Sequence, residues 1–418
     1  MPLRWLFLDM NGFFASAEQH DDPRLRGRPV GIIPVESEHT GLIAVSVEAK
    51  AAGVSRGLSV REARRTCPEI RLLKARPDRY VRLHHALRAS TDKQAPIHRV
   101  YSIDEWSVRL LREQREPAGA VALARRIKRQ IRADFSPVLR CSIGLAPTRL
   151  LAKTACQLQK PDGLSVLTPD LLPDALEGLP LQAFPGIGPG IAGRLERHGV
   201  RDVRALWALS REQMRRVWGS VQGEHWWYGL HGVDLPEPAT SRRSMGHAHV
   251  LPPEMRNDHD AFAVLVRLVC KLGARLREQR CRAGEMQVCV KYACGAVWLD
   301  SRTFPPAADT PALIGGLRRL WERRPRPPRS FEPGPGAPAW RHPKHVGVDV
   351  CGLVGEDGAT PPLFPDEERP LRLSEVIDRI NRSHGGHAVY FAAMHPVRSY
   401  LMEDKIAFGR IPETSIPM

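Results

Sequence analysis

Leu6-Phe7-Leu8-Asp9-Met10-Asn11 near the start of the chain and Tyr101-Ser102-Ile103-Asp104-Glu105 far downstream decide how the rest is read. Each is an apolar run ending in carboxylates, the pattern of two adjacent buried strands that present acids at their ends. Three carboxylates gathered in this way can hold two divalent cations about 4 Å apart, the arrangement used for in-line phosphoryl transfer. Hard oxygen ligands select Mg²⁺ over zinc. An isolated Asp-Glu pair is more often the solvated end of a strand, so the decision rests on the residues around the two segments.

Asp9-Met10-Asn11-Gly12-Phe13-Phe14-Ala15-Ser16-Ala17-Glu18 resembles the opening motif of the Y-family, or translesion, DNA polymerases, and Tyr101 to Glu105 resembles their second metal motif. Cys141 to Pro147, Leu151-Ala152-Lys153 and Lys160-Pro161-Asp162-Gly163-Leu164 resemble a third. Phe184 to Ala192, containing Gly186-Ile187-Gly188, resembles the family's thumb helix-hairpin-helix, and Arg243-Ser244-Met245-Gly246-His247 the start of its C-terminal little-finger domain. The motifs stand in family order and spacing across roughly residues 3 to 400.

The resemblance implies a multidomain α+β fold, the right hand of a polymerase. Its palm would be 1–20 and 79–167, its small fingers 21–78, its helical thumb 168–233 and its α+β little finger 243–418, with a linker at 234–242. Local patterns agree with that content. Residues 3–10, 100–103 and 138–143 read as strands with a helix over 118–132, and 286–292 and 346–353 read as strands beside helices over 261–278 and 311–322. Seven prolines and four early arginines between Arg323 and His345 read as a disordered basic loop.

By the same resemblance, Asp9 and Asp104 bridge two Mg²⁺ ions, Glu105 helps hold the one that activates the primer 3′-hydroxyl, and the Met10 carbonyl completes the other; Mn²⁺ can substitute. Phe14, five positions after Asp9, falls where the family places a ring that excludes the 2′-hydroxyl of a ribonucleotide. The backbone of Gly12 and Phe13 and the ammonium of Lys160 would hold the triphosphate of an incoming dNTP. In the fingers this chain departs from the common pattern. Ala44 and Val47 lack the phosphate-binding hydroxyls, and only Lys50 keeps a charge, within an Ala-Glu-Ala-Lys stretch similar to the catalytic subunit of bacterial DNA polymerase V. Lys160 to Leu164 and Arg243 to His247 are more similar to DNA polymerase IV, which leaves the subgroup open. Gly186, Ile187, Gly188 and Arg243 would contact DNA, the glycines by letting backbone N–H groups approach a phosphate.

Composition is consistent with a nucleic-acid partner. The net charge of +16 favours a polyanion. Arginine outnumbers lysine 52 to 10, a bias that a GC-rich genome or phosphate contact would each produce. No membrane anchor is visible, and the N-terminal apolar run is short and broken by Asp9, which reads as no signal peptide; the resemblance implies a bacterial cytoplasmic protein associated with the nucleoid. Eight cysteines without C-x-x-C spacing read as reduced thiols. Primer-template DNA is the implied partner, with a sliding clamp or recombinase-type damage-response proteins as further ones; 405–412 does not fit a clamp-binding peptide. Two other readings stand beside an error-prone polymerase: a catalytically silent DNA-binding adaptor on the same fold, and a nucleotidyl cyclase with a palm-like core. Retention of all three acids weighs against the first, and the thumb and C-terminal motifs against the second.

Overall fold

The computed structural model describes residues 2–236, 243–325, 342–358, 368–384, 388–398 and 411. The chain divides into two compact units, Met1–Glu237 and Pro238–Met402. The first contains strands β1 (Trp5–Met10), β2 (Val30–Ile33), β3 (Ala44–Val45), β4 (Arg71–Lys74), β5 (Ile97–Ser102), β6 (Glu105–Arg109), β7 (Cys141–Ala146) and β8 (Leu164–Val166). Five of these form one sheet in the order β5-β6-β1-β7-β8, and the others a small sheet ordered β3-β2-β4.

Central position explains why β1 is apolar on both faces. Leu6 and Leu8 point into a core shared with the helices Pro77–Asp92 and Pro117–Asp134, whereas Trp5 and Phe7 point into a second core on the other face, with the helix Arg149–Leu158. Pro117 pre-sets the first turn of its helix, and Ala120, Leu123, Ala124, Ile127 and Ile131 then recur at helical spacing on the buried side. The second core continues into four helices, Pro189–Arg197, Val203–Trp207, Arg211–Trp218 and Gln222–Leu230. Asp234 accepts a 2.9 Å hydrogen bond from the Trp5 indole; residues 237–242 of the expected linker lie outside the described residues.

The second unit holds β9 (Ser244–Val250), β10 (Cys281–Tyr292), β11 (Val297–Ala307) and β12 (Pro343–Gly355), ordered β11-β10-β12-β9 and antiparallel throughout. Helices Asp258–Glu278 and Thr310–Arg323 pack over Met286, Val288, Val290, Val346, Val348 and Val350. This is the four-stranded α+β domain expected.

Several boundaries differ from the expected ones. Asp104 and Glu105 do not end the strand of Tyr101: Asp104 sits in a tight turn and Glu105 opens β6, which is the strand that pairs with β1. The strand expected over 138–143 is shifted to Cys141–Ala146, after a turn in which the Leu139 N–H donates to Ser136. The Pro/Arg-rich loop is shorter than 323–345. Arg323 closes a helix, and Pro343 to His345 belong to β12. Arg324 is buried over the Trp321 ring, donating to the Tyr292 hydroxyl and pairing with Asp258. Residues 326–341, and 405–410 and 412 of the clamp-peptide segment, lie outside the described residues.

One close approach fixes the helix Arg149–Leu158 against the sheet. A Cβ at Gly144 would stand 2.0 Å from the Ala152 carbonyl oxygen and 2.7 Å from the Cys156 amide nitrogen, so backbone meets backbone there. Gly144→Ala is therefore expected to cost roughly 3 kcal/mol in urea denaturation. A loss below about 1 kcal/mol would show that the helix can move outward freely.

Candidate active site

Antiparallel pairing of β1 with β6 sets Asp9 directly opposite Glu105, and the Met10 N–H donates to the Asp104 carbonyl at 2.9 Å. Three carboxylates are thus anchored by backbone hydrogen bonds at one end of the central strand pair. The Ser102 hydroxyl donates to Asp104. Burial pushes the Asp104 carboxyl above the ordinary carboxylate range, with the Asp9 charge adding to the effect. Glu105 is raised for the same first reason, with Asp9 and Asp104 contributing after it and Lys153 opposing.

Two ammoniums offset this concentration of negative charge. Lys160 Nζ lies 2.6 Å from Asp9 Oδ2, and Lys153 Nζ lies 2.7 Å from Glu105 Oε2. With Asp9 and Glu105 each turned to a lysine, no group of three acidic, His or Cys side chains among the described residues converges on one metal position. The donor set nevertheless fits a hard divalent cation. It consists of carboxylate oxygens, desolvated and mutually repelling, whose ionised forms gain from a nearby cation.

Beside the acids the chain makes a sharp entry into the helix Phe13–Asp21. Gly12 caps it at φ +56°, a left-handed conformation, and a Cβ there would stand 2.8 Å from the Val45 carbonyl oxygen. No side chain caps this helix start, where backbone N–H groups point outward along the helix axis. Phe13 and Phe14 are both buried. The Phe14 ring stacks on Tyr80 at 4.4 Å and 12°, and Tyr80 in turn donates to Glu18 at 2.8 Å. Arg76 clamps the same Glu18 carboxylate through two nitrogens, at 3.0 and 2.6 Å.

Asp9, Met10, Gly12, Phe13, Phe14, Asp104, Glu105 and Lys160 therefore cluster in the first unit. Lys50 is exposed at the last turn of the short helix Val47–Ala51, which follows β3. Gly186 (φ +92°), buried Ile187 and Gly188 lie apart from the acids, between a three-residue 3₁₀ turn, Leu181–Ala183, and the helix that Gly188 caps. The expected helix before that hairpin is thus a single turn. The Trp226 indole donates to Pro185 at 2.9 Å, fixing the loop. Arg243 is exposed in the second unit, immediately before β9. Tyr80, Glu18, Arg76 and Lys153 were not singled out from sequence, although Glu18 closes the Asp9–Glu18 motif and Lys153 stands inside the Leu151-Ala152-Lys153 motif.

Comparison with known proteins bears on all of this. The impB/mucB/samB family model matches residues 8–157, and the model of that family's C-terminal domain matches 242–361. The DNA polymerase IV of Moorella thermoacetica is 32% identical over 397 residues, 93% of this chain and 95% of that one. That of Pelotomaculum thermopropionicum is 28% identical over 92% of this chain and 93% of its own. A Y-family DNA polymerase chimera of Dbh and Dpo4 shares the fold, with a TM-score of 0.66 at 21% identity, covering 84% of this chain and 99% of that one.

His84, on the helix Pro77–Asp92, holds the turn of the acids from behind. It is fully buried, edge-on to Trp106, and its Nδ1 lies 2.6 Å from the Ile103 carbonyl oxygen, to which it donates. Burial lowers its pKa to about 4, the Ile103 contact opposing in part. Between pH 6.5 and about 4 the unfolded chain takes up a proton that the folded chain does not, so stability falls with pH through that window. The contribution is about 3 kcal/mol in full. His84→Asn is expected to flatten the pH dependence of urea unfolding between pH 7 and 5; an unchanged slope would assign it to other groups.

Proposed function

Because the chain belongs to the impB/mucB/samB family, the Y family of translesion DNA polymerases, we propose that Asp9, Asp104 and Glu105 are the catalytic acids that extend a primer 3′-end across damaged template. The enzyme is a DNA-directed DNA polymerase with a divalent metal cofactor, acting on dNTPs and primer-template DNA. What supports the assignment of the acids is the placement of Asp9, buried, opposite Glu105 with Asp104 on the adjoining turn, where burial raises both Asp104 and Glu105. The silent-adaptor reading has no support, since the acids are retained and the matched relatives are polymerases.

We assign the metal as two Mg²⁺ ions, with Mn²⁺ able to substitute, held by the three acids and the Met10 carbonyl. When bound, the metal lowers the pKa of the primer hydroxyl and neutralises the leaving pyrophosphate. The chain's own groups do the rest. The uncapped start of the Phe13–Asp21 helix supports a role for the Gly12 and Phe13 backbone in binding the triphosphate. Lys160 can serve Asp9 or a phosphate oxygen as a compact point charge, and among the fingers positions that would meet phosphate, Ala44, Val47 and Lys50, only Lys50 keeps a charge. Phe14, immobilised by Tyr80, would exclude a 2′-hydroxyl by collision, because a stacked ring in a packed core cannot retreat. We further assign palm, fingers, thumb and little finger to 1–20 with 79–167, 21–78, 168–233 and 243–418. Gly186–Gly188 and Arg243 would contact the duplex. No helix among the described residues is long and apolar enough to cross a membrane. The proposed setting is the bacterial cytoplasm at the nucleoid, with a sliding clamp or recombinase-type damage-response protein as recruiting partner.

Primer extension with Mg²⁺ and each dNTP tests the assignment. Asp104→Ala is expected to lower kcat by roughly 10³-fold while DNA affinity persists. Extension near the wild-type rate would sink the role of this acid. For Phe14→Ala, ribonucleotide incorporation relative to deoxyribonucleotide is expected to rise about a hundredfold; unchanged selectivity would place the gate elsewhere.

A further inference from the structure

Lys160 stands at the head of a turn, Lys160-Pro161-Asp162-Gly163, that cannot hold itself. Asp162 takes a left-handed conformation at φ +57°, which is unfavourable for a residue with a side chain and persists only where the surroundings impose it. What imposes it here comes from the helix Pro117–Asp134 and from β1 and β7. Lys128, largely buried on that helix, directs its ammonium at the turn. It donates to the carbonyls of Asp162 at 2.5 Å and Gly163 at 3.1 Å, and to that of Cys141, at the start of β7, at 3.0 Å. The Asp162 carboxylate pairs with it at 2.7 Å. Four oxygens thus surround a group with three N–H donors, so the ammonium is saturated by the turn and the strand.

Asn11 closes the turn from the opposite side. Its Oδ1 accepts the Asp162 N–H at 2.7 Å, and its Nδ2 donates to the Ser142 hydroxyl at 3.1 Å. Asn11 is buried and directly follows β1, two positions after Asp9, so the segment that carries the first acid also fixes the turn that carries Lys160.

We propose that Lys128 is a positioning residue for nucleotide binding: by locking the Asp162 turn, it places the Lys160 ammonium where an incoming triphosphate can meet it. The proposal rests on the assignment of Lys160 to the triphosphate. Lys128 itself, engaged by protein oxygens, does not touch the nucleotide. Its loss leaves the turn to the Asn11 hydrogen bond and to a 3.3 Å pair between Arg132 and the Asp162 carboxylate, so Lys160 is less firmly placed while the acids stay held by the β1–β6 pairing.

Steady-state kinetics of dNTP addition by the full chain, with DNA affinity and thermal melting measured alongside, test this. Lys128→Met, which keeps the stem and removes the ammonium, is expected to raise KM for dNTP roughly tenfold with kcat within about twofold and DNA affinity unchanged. Lys160→Ala is expected to raise KM at least as far. The double variant should be no worse than Lys160→Ala alone, because there is then no ammonium left to misplace. Should Lys128→Met fold poorly, Asp162→Asn serves instead. Asparagine tolerates the left-handed conformation but offers no carboxylate to Lys128, so a smaller KM rise, again absent in the Lys160→Ala background, is expected. If Lys128→Met or Asp162→Asn adds its full effect to Lys160→Ala, or a folded Lys128→Met leaves KM unchanged, the proposal is overturned while Lys160 keeps its role. If Lys160→Ala itself leaves KM unchanged, the assignment of Lys160 falls and the proposal falls with it.

Discussion

Backbone pairing between β1 and β6 holds three carboxylates side by side where water is largely excluded, and their mutual repulsion has to be offset from outside that pair. Burial alone raises the Asp104 and Glu105 carboxyls above their ordinary range. The compensation arrives from one neighbouring stretch. Lys153 is on the helix Arg149–Leu158, and Lys160 follows shortly after its end. That helix can bring an ammonium to Glu105 only because it lies close on the sheet, and it lies close only because Gly144 has no Cβ to hold it off. A steric fact about one glycine on β7 thus sets the electrostatics of the acids on β1 and β6.

The same economy governs the nucleotide side. Phe14 lies two positions after the helix entry at Gly12, so its position along the chain is tied to Asp9, but its orientation is set by Tyr80 on a helix far along the chain. Tyr80 is itself tied to Glu18, and Glu18 to Arg76. Discrimination by collision requires a rigid surface, and a ring held by stacking plus a charge-assisted chain of contacts is more rigid than one packed among aliphatic side chains. Gly12 adds a further constraint: the Val45 carbonyl passes so near that the start of the helix and β3 must move together. Under the proposed reading, the absence of hydroxyls at Ala44 and Val47 would cost phosphate contacts, while the approach of Gly12 to Val45 is unaffected.

What could be read from the sequence follows from period and from motif. β1 was legible because a strand buried on both faces is a continuous apolar run, and the helix Pro117–Asp134 because its apolar positions recur at helical spacing. β6 was missed because it is five residues long and begins on the acid that had been read as the end of its neighbour. β9 and β11 were missed because edge strands with one open face alternate polar with apolar and resemble loops. The acids, Phe14 and Lys160 came from motif resemblance, and the structure gathers them in one place. Asn11, His84 and Lys128 could not be assigned positional roles in the same way. Each acts through a partner on another element, up to 151 residues away for Asn11 and Asp162, and nothing in a local pattern marks such a pairing.

The charge composition acquires a different meaning once positions are known. Arginine is abundant throughout, and many arginines are spent on structure: Arg76 and Arg79 on Asp21, Arg277 on Asp378, Arg324 on Asp258. Of the ten lysines, three (Lys128, Lys153 and Lys160) surround the acids and the turn beside them. A base-composition bias toward arginine would act on these codons as on any other, so its failure here has a physical reading. A guanidinium is a planar fork suited to bidentate pairing, whereas an ammonium is a compact charge that can donate in three directions or move from one oxygen to another. Lys128 uses the first property, since it donates to the carbonyls of Cys141, Asp162 and Gly163 and pairs with the Asp162 carboxylate. Lys160 would use the second if, as proposed, it passes from Asp9 to a phosphate oxygen. The scarcity of lysine elsewhere makes its concentration here the clearest compositional trace of what the site does.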